Sequence, residues 1–121
     1  MSNLDRPTQL ELPEIASPMD VVHANPSMFR VSFAGWLSEN GHVLRRFEQE
    51  ADRVWNRGRR HYSARTIVEV LRHESALREN DPLFKLNDHN TPDMARLYRL
   101  LHPQRADLFE TRVQRGADRA A

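Results

Sequence analysis

A chain of 121 residues with no cysteine and a net charge of +1 has room for one modest domain and no material for a disulfide framework or a thiolate metal site. The opening MSNLDRPTQLELPEIASPMD has neither a basic start followed by an apolar run nor a stretch long enough to span a bilayer, so secretion and membrane insertion are not expected and a reducing cytoplasm is the default compartment. The charge is uneven: residues 1–40 hold Arg6 and Arg30 against Asp5, Glu11, Glu14, Asp20 and Glu39, a balance of −3, which leaves +4 for residues 41–121.

Residues 1–35 read as a polar, acidic N-terminal arm, because Pro7, Pro13, Pro18 and Pro26 interrupt any regular helix and apolar periodicity is weak. Near its end Phe29, Val31 and Phe33 alternate with Arg30 and Ser32, a period-two signal for a short extended segment. That segment, with Trp36 and Leu37, is expected to lie against the helices, since an exposed run of large apolar residues makes a sticky patch.

Residues 36–115 are expected to form the helical domain. Asn40 is a good N-cap for a first helix over 40–57, whose stripe is Val43, Leu44, Phe47, Ala51, Val54 and Trp55, and Gly58 supplies a left-handed stop. Ser63 caps a second helix over 63–79, ended by Asn80, Asp81 and Pro82. Thr91 as N-cap, Pro92 at the first helical position and Asp93 in the first turn open a third helix over 91–102. A fourth, over 104–113, brings Leu108, Phe109 and Val113, and residues 116–121 form a frayed tail. The fold class is therefore all-α: a compact bundle of about four helices with an extended N-terminal arm.

The strongest chemical feature is the junction Arg57-Gly58-Arg59-Arg60-His61-Tyr62-Ser63-Ala64-Arg65. Four arginines converge where the second helix exposes unpaired amides, a plausible phosphate site in which Arg59 or Arg60 closes over the anion and Tyr62 stacks on a base or sugar. Each residue also has a structural job on offer: Arg57 complements a helix C-terminus, Ser63 caps, Tyr62 packs as a hinge residue and Arg65 pairs with Glu69 one turn on.

A helix-turn-helix would present the third helix to a major groove, with Asp93, Arg96, Arg99 and Gln104 outward, but that motif wants a turn of three or four residues and Asn80 to Asn90 is far longer. The connection Leu83 to Asn90 places Phe84 and Leu86 against the core and Lys85, Asn87 and His89 outward. The alternative is a plain turn in which Asn87, Asp88 and Asn90 satisfy amides. Glu69 and His73 share a helical face, yet two ligands do not make a metal site, and no third ligand, nucleophile elbow or phosphate-binding glycine loop is present. No metal, no cofactor and no enzymatic chemistry are expected.

The string F47-E-x-x-A51, G58-x-x-x-Y62-S63-A64-R65-x-I67-x-E69-V70-L71-R72, F84-K85-L86-N87, A95-R96-L97-Y98, P103 and L108-F109-E110-x-R112 resembles a small protein family carried by bacteriophages and prophages. The resemblance spans about residues 40–112. It implies a helical domain working in the cytoplasm of a bacterial host, brings no catalytic residues, and gives weight to Tyr62, Arg65, Lys85, Asn87 and Arg96.

Taken together, the residues and the resemblance point to a phage or mobile-element accessory protein that acts by binding. Nucleic acid, DNA ahead of RNA, is the leading partner, contacted by Arg57, Arg59, Arg60, Tyr62, Arg65, Lys85, Asn87 and Arg96. The alternative is a protein-binding module that occupies or inhibits a host factor or defence enzyme through Phe33, Trp36 and the acidic arm. Self-association is left open.

Overall fold

The computed structural model of the chain describes residues 17–77 and 88–111. These build five α-helices: α1 (Pro18–Ala24), α2 (Phe33–Glu39), α3 (Gly41–Asn56), α4 (Ala64–Ala76) and α5 (Thr91–Leu101). Single 3-10 turns lie at Pro26–Met28, Asp88–Asn90 and Pro103–Arg105. The fold is all-α, and α5 is its hub, touching α1, α3 and α4.

The N-terminal arm is shorter than its prolines suggest. Ser17 and Asp20 form a capping box: the Ser17 hydroxyl accepts from the Asp20 amide at 3.0 Å, and the Ser17 amide donates to the Asp20 carboxylate at 3.4 Å. Pro18 then stands in the first turn, where its missing N–H would have had no helical partner and its fixed φ suits the helix. Pro26 likewise begins a 3-10 turn. A proline read as a breaker is thus a starter when a serine precedes it.

The expected extended segment at 29–33 is also absent. Phe29 and Phe33 both point inward, four residues apart, with their rings stacked at 5.5 Å, while Val31 between them is 102% exposed. Phe33 opens α2 and is 0% exposed, and Trp36 stacks on it at 5.7 Å. Both chain segments before and within α2 therefore belong to the core through Val22, Phe29, Phe33 and Leu37. Residues 17–35 are part of the helical body, and of the expected arm only 1–16 lies outside the described residues.

α3 forms over the expected stripe, burying Val43, Leu44, Phe47, Ala51 and Val54. Asn40 holds the N-cap position as expected, but without a side-chain bond to the helix. Its side-chain amide instead donates to the Trp36 carbonyl at 2.9 Å, closing the end of α2. α4 buries Ile67, Val68 and Leu71 and is capped by Ser63, whose hydroxyl accepts from the Thr66 amide at 3.2 Å. The expected end of this helix at 79 falls outside the described residues.

α5 begins with Thr91 already helical, and Asn90 holds the cap position without a side-chain bond. The expected fourth helix is reduced to the turn Pro103–Arg105. After it the chain runs irregularly through Leu108 and Phe109, both buried, to Thr111. Pro103 begins that turn, and Leu108 and Phe109 dock without a helix to carry them. Phe109 packs on Phe47 and Tyr98, each at 5.4 Å between ring centres. The expected end of this helix, from 112, and the tail at 116–121 are outside the described residues.

Because Phe33 is wholly enclosed, Phe33→Ala should lower the unfolding free energy by about 3–5 kcal/mol in urea denaturation. A chain starting at residue 36 loses Val22, Phe29 and Phe33 together and should melt without a cooperative transition. An unchanged melting curve for either would contradict this core.

Candidate nucleic-acid interface

The basic junction between α3 and α4 is fixed by backbone bonds. α3 ends in a Schellman motif: the Gly58 amide donates to the Trp55 carbonyl at 2.9 Å and the Arg59 amide to the Val54 carbonyl at 3.3 Å. Gly58 has φ +97°, a conformation that a residue with a Cβ adopts only with strain. Ser63 starts α4 soon after. The intervening chain is tied to the far wall of the site, since the Tyr62 amide donates to the Leu108 carbonyl at 2.8 Å and His61 Nδ1 lies 3.2 Å from the Asp107 carbonyl.

The path of the chain divides the arginines. Arg57 and Arg59 are exposed and carry no side-chain hydrogen bond or ion pair with the described residues. Arg60 is engaged: its guanidinium lies 3.9 Å over the Trp55 ring and donates to the carbonyls of Trp55 and Arg59, both at 3.0 Å. Arg105 approaches the same ring at 5.4 Å. Arg65 makes the expected surface pair with Glu69 at 3.5 Å, with both side chains more than half exposed, so solvent screening leaves it worth no more than about 1 kcal/mol.

A half-open groove of about 1000 Å³ runs beside this junction. One wall is Tyr62 to Arg65, a second is the start of α5 with Pro92, Ala95 and Arg99, and the third is the chain from Ala106 to Thr111. Arg99 crosses the groove to donate to the Thr111 hydroxyl at 2.8 Å. Asp107 and Glu110 put negative charge on the third wall. Thr91 also lines the groove, and its hydroxyl is buried without a hydrogen-bond partner among the described residues.

Of the sequence-derived residues, the fold therefore brings Tyr62, Arg65 and Arg96 to one groove, while Arg57 and Arg59 stand earlier on the junction and do not line it. Arg60 is placed on Trp55 instead. Lys85 and Asn87 lie outside the described residues. In the sequence, Arg99 stands out only as part of a recognition helix and His61 only as a member of the junction. Their place in the groove depends on α5 and the 106–111 chain folding back beside α4, which no local pattern encodes.

Of the expected outward face of the third helix, Arg99 and Gln104 are exposed, while Asp93 and Arg96 are not. Asp93 is 0% exposed and Arg96 8%, with Arg96 Nη1 donating to Asp93 Oδ1 at 2.7 Å and the Arg30 amide donating to Asp93 Oδ2 at 3.4 Å. Residues 93–98 are all buried, so α5 presents no face that a DNA major groove could accept. The reason is packing: α1, which forms where the prolines argue against a helix, packs on α5, and the segment after it reaches Asp93 through the Arg30 amide. Burial pushes the Asp93 carboxyl above its ordinary range despite the opposing pull of Arg96 and the Arg30 amide.

A second polar cluster lies on the other side of α5. The Tyr98 hydroxyl donates to Asp52 Oδ1 at 2.8 Å, and Arg105 Nη1 donates to the same oxygen at 2.7 Å and to the Tyr98 oxygen at 3.0 Å. Burial, reinforced by Asp52 and opposed by Arg105, pushes the Tyr98 phenol up to about 12. This cluster positions Arg105 next to Trp55. Among the described residues no three histidine, aspartate or glutamate side chains converge as a metal site would require.

No family model, curated protein or solved structure matches the chain, so the site rests on its own geometry.

Two measurements probe these polar clusters. Asp93→Ala takes the carboxylate from a buried guanidinium and should cost about 3–5 kcal/mol in urea unfolding, whereas Asp93→Leu combined with Arg96→Met should recover most of it. For Tyr98, the unfolded chain ionises near pH 10 while the folded chain holds its proton to about 12. The stability it contributes is therefore complete below pH 10 and is lost as pH rises through 12, with a slope of at most about 1.4 kcal/mol per pH unit. Comparing the protein with Tyr98→Phe over that range tests it; parallel curves would mean that the phenol is not held.

Proposed function

We propose that this protein is an accessory protein of a phage or other mobile element that binds nucleic acid, DNA in the first place, through the α3–α4 junction and the groove beside it, and performs no chemistry of its own. One observation carries this: Arg57 and Arg59 are two exposed guanidiniums without partners among the described residues, held by a Schellman motif on the same short path whose continuation, Tyr62 to Arg65, lines the groove. Arginine forks suit phosphate oxygens, and guanidiniums whose backbone is already fixed lose less entropy on binding.

In this arrangement Arg57 and Arg59 meet the phosphate backbone on the junction outside the groove, and Arg65 leaves its weak pair with Glu69 to meet it at the groove. Arg60 keeps its place on Trp55 and adds fixed positive charge. Arg96 acts from beneath through its ion pair with Asp93 and makes no direct contact. The cytoplasm of a bacterial host follows from the phage-like pattern of the sequence and from nothing else; no helix among the described residues is long and apolar enough to cross a membrane.

Binding to a host factor or defence enzyme is the competing proposal, and the residues that first suggested it do not serve it well. Phe33 is enclosed in the core, and Trp36 packs against Phe33. The fully exposed Val31 is the apolar contact that remains near them.

Fluorescence anisotropy with labelled oligonucleotides tests the first proposal. Affinity should fall steeply between about 50 and 200 mM salt, and Arg57→Glu with Arg59→Glu should weaken binding about tenfold or more, with the log–log salt slope reduced by about one for each phosphate that is no longer neutralised. Absence of binding at low salt would refute it.

A further inference from the structure

We infer that the groove takes an unpaired nucleotide, so that the protein recognises single-stranded nucleic acid in preference to duplex. This rests on the nucleic-acid reading above and specifies the form of its ligand.

The shape of the binding surface favours a base that has left its stack. A groove of about 1000 Å³ is of the size that encloses small ligands, about 300–1000 Å³. A base can enter such a space only when it is unstacked. The element that would otherwise read a duplex, α5, is buried from Asp93 to Tyr98 and offers no projecting helix.

The chemistry of the walls suits the same ligand. Tyr62 is half-buried and packs against the core from one side, which restrains the ring, and it lines the groove as a stacking platform with its hydroxyl unpartnered among the described residues. Ala64, Pro92 and Ala95 extend the apolar surface beside it. Arg65 and Arg99 supply the positive charge, one bound to a solvent-screened glutamate and the other to a neutral threonine hydroxyl, and both bonds are readily exchanged for a phosphate.

The first turn of the 13-residue α4 contributes as well, because Ser63 takes the Thr66 amide and leaves the Ala64 and Arg65 amides as helix-start donors on the groove. Independently of any helix end, the Thr91 hydroxyl is buried in the lining with its hydrogen-bonding capacity unspent among the described residues. Buried hydroxyls are nearly always bonded, this one has no partner among the described residues, and a ligand in the groove can supply one. The acidic wall sets the polarity: Asp107 and Glu110 repel phosphate, so the backbone of the strand lies along Arg65 and Arg99 and the base lies over Tyr62.

The test compares a labelled oligothymidine of about 12 nucleotides with a hairpin duplex of equal phosphate number at low salt, using the full chain. The single strand should bind at least about tenfold tighter, and Tyr62→Ala should weaken it by about five- to a hundredfold with the salt slope unchanged, because stacking releases no counterions. Tyr62→Phe should retain affinity. Arg99→Glu, at an exposed position where folding is not at stake, should weaken binding and lower the salt slope by about one. If Tyr62→Ala fails to give a native circular dichroism spectrum, the Arg99→Glu result and the single-strand preference decide the matter. Equal affinity for hairpin and single strand, with no effect of Tyr62→Ala, overturns this inference and leaves the nucleic-acid reading standing. No binding of either probe overturns both.

Discussion

The burial of α5 is the constraint from which the other features of the structure descend. A helix enclosed from Asp93 to Tyr98 must bring partners for the polar side chains it carries inward, which are Asp93, Arg96 and Tyr98. Asp93 is answered by Arg96 from one turn along the same helix and by the Arg30 amide from the segment that follows α1. Tyr98 is answered by Asp52 on α3 and by Arg105 in the turn after α5. The two clusters thus tie the N-terminal segment, α3 and the C-terminal chain to one central rod, and each tie is specific in a way that apolar contacts alone are not.

That rod also shapes the surface. With α1 on one side and α4 on another, α5 leaves its first turn and Arg99 to line a groove. The chain beyond α5 returns past Phe47 and Tyr98 to lay Leu108 and Phe109 in the core, and from there it bonds to Tyr62. The groove is therefore a by-product of closing the core: its three walls are the start of α4, the start of α5 and the returning chain. Its basic residues are gathered from separated stretches of sequence, and its acidic ones come from the third wall alone.

The junction arginines illustrate how one local cluster divides once neighbours are present. Arg60 finds an aromatic face and two carbonyls, and Arg65 finds a glutamate one turn on. Arg57 and Arg59 are exposed and find no partner among the described residues. Arg60 holds an aromatic face and two carbonyls where Arg65 holds one screened surface pair, so Arg60 is the least available of the four for a ligand. A count of positive charge along the sequence treats them as equal, which they are not.

What the sequence determined by itself was everything decided within one or two turns of chain. The stripe of α3, the left-handed stop at Gly58, the Ser63 cap, the Arg65–Glu69 pair and the all-α class depend on spacing and on backbone stereochemistry, which are local and survive any tertiary setting. The capping box at Ser17 and Asp20 belongs to the same class; it is legible in the sequence and is hidden only when Pro18 is taken for a breaker. Which face of an amphipathic segment meets water is different, because it depends on what else arrives there. Only the tertiary structure could place Asp93 and Arg96 inside, since the N-terminal segment that packs on α5 and bonds to Asp93 comes from more than sixty residues away. Only it could turn Phe29 and Phe33 inward with Val31 left outside, and bring Arg99 and Thr91 to the groove beside Tyr62, because those approaches are made by segments far apart in the chain.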